Sequence, residues 1–449
     1  MQDLIAALER PSMHFAATRL VVMLGSAITA MAMMGCACCT RQDKPQTPAA
    51  VGLNTNNLID PSAQIPADLA TGSDARAIAE RDVGFAGSPT FSPRRSVLCL
   101  SAGGTYGAYT VGVLCGWTAH GDRPNFDVVT GVSTGAMIAP YAFLGSRYDG
   151  QIKDFFTRTR DKDIYRVHPF RLAFAESLAD NTPLANKIDR MLTIEFMREI
   201  AVEHGKGRRL YVGTTEAEGR RFVAWDIGEI ASRGTERDRQ LIKSILLGSS
   251  AIPGFFPASK ITVTVNGKPF VEKHVDGAVS QSLFFRPPYV APELAGARSW
   301  NDVDVYAIVA GKLYADPGVT KPRAIKIATN DVSTIIYSQS RGDLQRLWAL
   351  CAMNGMSFHL ASMRPEFPAP KSSMEFDPRA MTSMFNEGVQ EVLSGTAWRN
   401  TAPEGKPDET PLVRSGTNLI YLPRSPDAWS FGQPLLPPNG QPPSQPIAK

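Results

Sequence analysis

A serine flanked by glycines is the residue of this sequence with the clearest chemical potential. Ser133 stands between Gly131 and Gly135 in the pattern GVSTG, after the apolar run Phe126–Val129 and before a helical run that begins at Ala136. A strand, a tight turn and a helix in this order are typical of a nucleophile elbow, which holds a serine hydroxyl at the end of a sheet. The amino terminus of the helix also directs N–H groups toward developing negative charge. The pattern predicts a nucleophilic serine, and a plain turn of small residues is the alternative.

A glycine-rich segment follows the predicted strand Val97–Leu100 and reads SAGGTYG from Ser101 to Gly107. Glycines in this segment allow backbone N–H groups to converge on an oxyanion, because no side chain blocks the approach. No GK[ST] sequence follows, so a nucleotide-binding P-loop is disfavoured. A flexible turn is the alternative for this segment.

An Asp-Gly-Ala pattern ends a predicted β-hairpin. The hairpin consists of Ile261–Val265, an Asn-Gly turn and Phe270–Val275, since Asn-Gly supplies the positive φ angles of a type I′ turn. Asp276, at the end of the second strand, can accept a proton from a nearby hydroxyl. Gly277 and Ala278 complete the pattern, for which an ordinary turn is the alternative.

In their order along the chain, these three patterns resemble those of the patatin-like phospholipase family. The resemblance includes the sequence SSAIPGFFP at residues 249–257 and covers residues 95–290. It implies a three-layer α/β/α fold with a central, mostly parallel sheet. The implied activity is that of a serine acyl hydrolase that cleaves lipid carboxylic esters without a metal or an organic cofactor. The site residues that it implies are the nucleophile Ser133, its only catalytic partner Asp276, and the oxyanion-hole glycines Gly103 and Gly104.

Two positions of the glycine-rich segment depart from the family's pattern GGGx[RK]G. Ala102 stands where the first glycine is usual, and Tyr106 stands where Arg or Lys is usual. Loss of the cation removes a charge that could hold the loop or bind an anionic lipid headgroup. The backbone N–H donors do not depend on this charge, so the departures bear on the substrate class more than on catalysis.

Two alternatives to a Ser-Asp hydrolase remain. A non-catalytic envelope lipoprotein could use the fold as a binding scaffold, which Ala102 and Tyr106 favour. A Ser-His-Asp esterase needs a histidine after the acid, and His359 is the only histidine that follows Asp276. His359 lies in SFHLASM, a predicted strand without a recognisable catalytic setting. His274 is predicted to be a solvated neighbour of Asp276.

The Ser-Asp dyad implied by the resemblance makes a demand on the surroundings of Asp276. A carboxylate with an ordinary pKa of about 3.9 is a weak base toward a hydroxyl. We therefore expect a site apolar enough to raise the pKa of Asp276. The reaction rate should then depend on pH.

The amino-terminal segment is typical of a secretory signal. Arg19 precedes the uncharged run Leu20–Thr40, whose apolar part ends in MMGC at Cys36. This ending resembles a bacterial lipobox, although Met33 stands where leucine is usual. The segment predicts a lipoprotein-type signal peptide over residues 1–35, lipidation of Cys36, and a tethered protein of the bacterial cell envelope, in the periplasm or outer membrane. A plain cleaved signal and an uncleaved anchor or unexported chain are the alternatives.

Length and composition indicate a globular core with non-globular ends. The 449 residues are 43% hydrophobic and 20% charged, which excludes a wholly disordered chain. Lys and Arg number 47 and Asp and Glu number 43, so the net charge is only +4 and nucleic acid is not an expected partner. The expected partners are a lipid or lysophospholipid substrate and a membrane surface contacted through the lipid anchor. The predicted domains are the signal peptide 1–35, a low-complexity linker 36–94, the acyl hydrolase domain 95–401 and a Pro-rich tail 402–449.

Strand-like and helix-like patterns alternate within residues 95–401, which favours a parallel or mixed sheet between helical layers. Two further predicted strands are Leu210–Thr215 and Phe222–Asp226. Thr182-Pro183 is typical of a helix start. A second helix, expected to cover the sheet, is indicated by the spacing of Met381, Met384, Phe385, Val389 and Val392.

Overall fold

The computed structural model describes residues 95–167, 177–265, 268–285, 302–316, 324–370, 372–405 and 409. The predicted signal peptide over residues 1–35, Cys36 and the linker over residues 36–94 lie outside the described residues. The same is true of the tail 402–449, apart from 402–405 and 409. Among the described helices, none is both long enough and apolar enough to cross a bilayer.

Strands and helices alternate along the described chain. The strands are β1 (Arg95–Leu100), β2 (Val128–Val132), β3 (Arg166–Val167), β4 (Ala179–Asp180), β5 (Arg209–Glu216), β6 (Arg221–Asp226), β7 (Ser259–Val265), β8 (Lys268–Asp276), β9 (Val303–Val309) and β10 (Ser357–Ser362). The helices are α1 (Gly107–His120), α2 (Thr134–Leu144), α3 (Asp149–Thr157), α4 (Thr182–Met191), α5 (Ile194–Gly205), α6 (Ile227–Ser232), α7 (Glu236–Ser249), α8 (Ala324–Asn354) and α9 (Pro378–Leu393).

One large sheet forms the centre of the fold. Its strands follow the order β10-β9-β1-β2-β5-β8-β7, and β6 pairs with β5 outside this path. The strands from β10 to β5 are parallel to one another, whereas β6 and β8 run antiparallel to β5 and β7 runs antiparallel to β8. The sheet is therefore mixed and mostly parallel, as the alternating pattern predicts.

Both faces of the sheet are buried. Leu98 and Leu100 of β1 belong to a large apolar cluster with α1, α2, α5, α7 and α9. Val97 and Cys99, which alternate with them, belong to a second cluster with Leu344, Leu347 and Cys351 of α8. Because successive strand residues point to opposite faces, helices cover the sheet from both sides. This arrangement is the three-layer α/β/α fold expected from the sequence.

The predicted elements agree with the structure except at the bounds of one strand. The strand expected at Phe126–Val129 begins at Val128 and continues through Gly131 to Val132, because parallel pairing with β1 and β5 holds this stretch extended. The helix expected near Met381 is present as α9 and packs against α1. Its buried residues belong to the same apolar cluster as Leu98 and Leu100 of β1, and its covering of the sheet stays a prediction.

Candidate active site

Strand β5 brings the ends of two other strands together. Along one edge of β5, Gly213 lies opposite Val132, the last residue of β2, and Thr214 lies opposite Asp276, the last residue of β8. The other edge of β5 is occupied by β6 over the same stretch. The residue after β2 is Ser133, so consecutive positions of one strand place Ser133 and Asp276 side by side.

The turn at Ser133 has the geometry of a nucleophile elbow. Ser133 has φ 54° and ψ −119°, a backbone conformation that residues other than glycine rarely adopt. It is the N-cap residue of α2, whose first residue is Thr134. A Cβ atom at Gly131 would lie 2.4 Å from the carbonyl oxygen of Gly135. One at Gly135 would lie 2.4 Å from the carbonyl oxygen of Leu100. Only glycine fits at both positions, so the GxSxG spacing is a steric requirement of the turn.

Ser133 and Asp276 form a buried pair. The Ser133 hydroxyl donates to Asp276 Oδ2 at 2.6 Å, and the second carboxylate oxygen accepts the Ala278 N–H at 2.9 Å. The exposed fractions of Ser133 and Asp276 are only 8% and 3%. Gly277 and Ala278 belong to the short 3-10 turn Gly277–Val279 that follows β8. The DGA sequence thus orients the carboxylate toward the serine.

Burial raises the pKa of the Asp276 carboxyl to about 6, although the hydrogen bonds from Ser133 and from the Ala278 amide act to lower it. Loss of hydration disfavours the charged carboxylate more than two hydrogen bonds stabilise it. The carboxylate is therefore a stronger base than an exposed aspartate, and it is still mostly ionised at neutral pH. This direction agrees with the expectation from the sequence.

The glycine-rich segment carries two N–H groups that are free to bind an anion. The amide of Ala102 donates to Ser282 at 2.9 Å and that of Thr105 donates to Ser373 at 2.8 Å. Within the described part of the chain, the amides of Gly103 and Gly104 donate to no acceptor. The segment follows β1, whose last residue lies opposite Gly131, so these amides are at the same end of the sheet as Ser133. Both are suitable oxyanion donors.

Tyr106 connects the glycine-rich segment to the residues between β10 and α9. Its hydroxyl donates to the Pro370 carbonyl at 2.6 Å, and the adjacent Thr105 amide donates to Ser373. Gly104, at φ 54°, is so close to this stretch that a Cβ would lie 2.1 Å from the Ser373 carbonyl oxygen. Pro370 and Ser373 therefore brace the glycine-rich segment, and the neutral phenol of Tyr106 contributes without the usual cation. No sequence pattern marks these contacts.

Two histidines raised by the sequence lie outside the dyad. His359 contacts Asp304 at 3.1 Å and stacks on Tyr306 with the ring centroids 4.6 Å apart. The strand register places His359 three strands from β2 and level with Val129, about 14 Å across the sheet and about 13 Å along it from Ser133. A triad that includes His359 is excluded by this separation.

The expectation that His274 is solvated is wrong. Its side chain is 0% exposed and contacts Thr214 at 2.9 Å and Glu272 at 3.1 Å. The Glu272 carboxylate accepts the proton on Nε2, so in the neutral ring Nδ1 accepts the proton of the Thr214 hydroxyl, to which Trp225 also donates at 2.8 Å. Burial lowers the pKa of His274. The ring is therefore a neutral structural element of the sheet.

Residues at the end of α7 contact both members of the pair, which the sequence patterns do not indicate. Ser249 Oγ accepts the Ser133 N–H at 2.9 Å, and the Ala251 carbonyl accepts the Asp276 N–H at 2.9 Å. These residues belong to the SSAIPGFFP sequence, whose resemblance to a family pattern did not define a role.

No group of three or more His, Cys, Asp or Glu side chains able to hold a metal ion occurs among the residues that the structure describes.

Comparison with known proteins gives a match to one family. Residues 98–289 match the sequence model of the patatin-like phospholipase family. None of the curated proteins matches the sequence. Among 13 matching chains of solved structures is that in the crystal structure of VipD from Legionella pneumophila. It is 14% identical, with 68% of this chain and 67% of that chain covered and a TM-score of 0.32.

Proposed function

We propose that this protein is a serine acyl hydrolase that cleaves lipid carboxylic esters through a Ser133–Asp276 dyad. One observation carries the proposal. The hydroxyl of a serine in a strained strand-to-helix turn donates at 2.6 Å to a buried carboxylate. The match of residues 98–289 to the patatin-like phospholipase family supports lipid esters as the substrate class.

The first half of the reaction forms an acyl-enzyme. Asp276 accepts the proton of the Ser133 hydroxyl while Oγ bonds to the ester carbonyl carbon. The resulting oxyanion accepts hydrogen bonds from the Gly103 and Gly104 amides and lies near the amino terminus of α2. The C–O bond to the alcohol then breaks, and the proton on Asp276 passes to the departing oxygen.

The second half of the reaction returns the enzyme to its starting state. Asp276 accepts a proton from water, whose oxygen attacks the acyl carbon and forms a second oxyanion. Collapse of this intermediate breaks the bond to Ser133 Oγ, which takes the proton back from Asp276. A fatty acid leaves, and one water molecule has been consumed for each ester cleaved. The pKa of about 6 at Asp276 suits a group that both accepts and donates this proton near neutral pH.

Substitution of the two dyad residues in the full-length protein tests the proposal. Ser133→Ala and Asp276→Asn should each lower the release of fatty acid from short- and long-chain esters by about 10³-fold or more, since the dyad acts as a unit. Ser146→Ala, a change of the same type in a serine beyond the end of α2, serves as the control and should be active. Equal release by wild type and Ser133→Ala, or none from any ester, would favour a binding scaffold instead.

We also propose that the protein is tethered to the bacterial cell envelope through a lipid on Cys36. The support comes from the sequence alone, in the uncharged run Leu20–Thr40 and the lipobox-like MMGC. Cells supplied with radiolabelled palmitate should incorporate the label into the wild-type protein and not into Cys36→Ser. Label in both proteins, or in neither, would contradict lipidation at this residue.

A further inference from the structure

The end of helix α7 holds both halves of the dyad. Ser249 Oγ accepts the Ser133 N–H at 2.9 Å and donates to the Gly213 carbonyl at 2.6 Å. Two residues further on, the Ala251 carbonyl accepts the Asp276 N–H at 2.9 Å. Ser249 and Ala251 thus connect the nucleophile, its base and strand β5.

The Ser249 hydroxyl has a task that few side chains can perform. It bridges an N–H donor at the end of β2 and a carbonyl acceptor on β5, so it must accept and donate at once. A serine hydroxyl has one proton and two lone pairs, and both functions are used here. Ser249 is 0% exposed, so water cannot replace the hydroxyl if it is removed.

The bridge acts at the strained residue itself. Ser133 has a positive φ of 54°, which its surroundings must enforce because the isolated residue disfavours it. The hydrogen bond from the Ser133 amide to Ser249 fixes the orientation of the peptide group on the amino-terminal side of this residue. Without it, the turn can relax and carry the Ser133 hydroxyl away from Asp276.

We propose that Ser249 is a positioning residue, which, together with the Ala251 carbonyl, sets the separation between the Ser133 hydroxyl and the Asp276 carboxylate. The role rests on the proposed hydrolase function and adds to it a residue that does not touch the substrate. Ser249 acts on the nucleophile through the backbone, and Ala251 acts on the base through the backbone.

The test measures the full-length protein in two assays, ester hydrolysis and covalent reaction with a fluorophosphonate that modifies activated serines. Ser249→Ala should lower kcat and the labelling rate by about 10- to 100-fold with little change in KM, because displacement of a reacting group by about 1 Å has this effect. Ser249→Cys fills a similar space with a weakly hydrogen-bonding group and should lose as much. The control is Ser259→Ala, which removes a hydroxyl of β7 that donates to the Ser244 carbonyl of α7.

The pH dependence separates positioning from stability. The hydrogen bond from Ser133 lowers the pKa of Asp276. Loss of this hydrogen bond in Ser249→Ala and Ser249→Cys should therefore raise the pKa and move the acid limb of the rate profile to higher pH, by at least about 0.5 pH unit. A variant that is merely less stable would keep the wild-type midpoint. Wild-type rates and an unmoved midpoint in Ser249→Cys would overturn the role of Ser249 alone. A wild-type protein that neither hydrolyses esters nor reacts with the fluorophosphonate would overturn the hydrolase and this role together.

Discussion

The base of the proposed dyad is a carboxylate whose ionisation falls close to neutral pH. Burial raises the pKa of Asp276 to about 6, and only the ionised form can accept the Ser133 proton. We therefore expect kcat/KM to fall about tenfold per pH unit below pH 6 and to level off above pH 7. A rate profile on a soluble ester between pH 4 and pH 9 checks this. A profile that is flat from pH 5 to pH 9 would contradict the assignment of Asp276 as the base.

Tyr106 offers a second test at the scale of a single residue. Tyr106→Phe removes the hydroxyl that donates to Pro370 and leaves that carbonyl without its partner, which should loosen the stretch that braces Gly104. We expect kcat to fall about 3- to 10-fold with KM nearly unchanged, in proportion to one lost hydrogen bond. Steady-state kinetics measures this change. The matched control is Tyr148→Phe, which removes a hydroxyl that donates to Glu199 at 2.8 Å. Equal rates in both variants would show that the brace does not depend on this hydroxyl.

Residue patterns could locate Ser133 and Asp276 because turn chemistry is local. The glycines beside Ser133 and the Asp-Gly step are imposed by backbone geometry within a few positions. The role of Ser249 could not be predicted in the same way. Its hydroxyl bridges backbone groups of two other elements, and such a contact leaves no periodicity or spacing pattern in the sequence. The burial of His274 could not be predicted for a related reason, since Thr214, its hydrogen-bond partner, and Trp225, whose ring contacts the imidazole, come from other strands.

At the scale of elements, a buried carboxylate lies where helices α1 and α9 pack together. Tyr109 of α1 donates to Glu391 of α9 at 2.5 Å, and the neighbouring Glu387 pairs with Arg364. Burial is the main cause that raises the pKa of Glu391 to about 7. Sequence periodicity indicates that α9 is amphipathic, but it does not indicate the partner of its apolar face. That partner is α1, more than 250 positions earlier in the chain.

Glu391 should make the stability of the fold depend on pH. Because its pKa is higher in the folded protein than the ordinary value of 4.5, the folded state binds the proton more tightly, and the free energy of unfolding falls as pH rises toward 7. Glu391→Gln keeps an acceptor for Tyr109 without the charge, so the difference in unfolding free energy between pH 5 and pH 8 should shrink by about 2 kcal/mol. Denaturant unfolding at both pH values measures it. The exposed Glu195→Gln is the control, and an equal change there would contradict this account.

At the scale of the whole molecule, the site depends on parts of the chain that no motif marks. The family match ends at residue 289, yet β9 separates β1 from β10 in the sheet, and α8 covers the face formed by Val97 and Cys99. The alternation of strands and helices could predict the α/β class, because each element buries a face of matching period. It could not predict that Pro370 and Ser373 contact the glycine-rich segment.

This dependence predicts that the matched region alone is not a folding unit. A protein comprising residues 95–290 lacks β9, β10, α8 and α9, so β1 becomes an exposed edge strand and one face of the sheet meets water. We expect it to show no cooperative thermal transition by circular dichroism, whereas residues 95–409 should unfold cooperatively and retain esterase activity. The shorter protein also lacks the acceptors for the Tyr106 hydroxyl and the Thr105 amide, so its Gly103 and Gly104 amides would lose their fixed orientation. A cooperative transition in residues 95–290 would mean that the carboxyl-terminal elements are dispensable for the sheet.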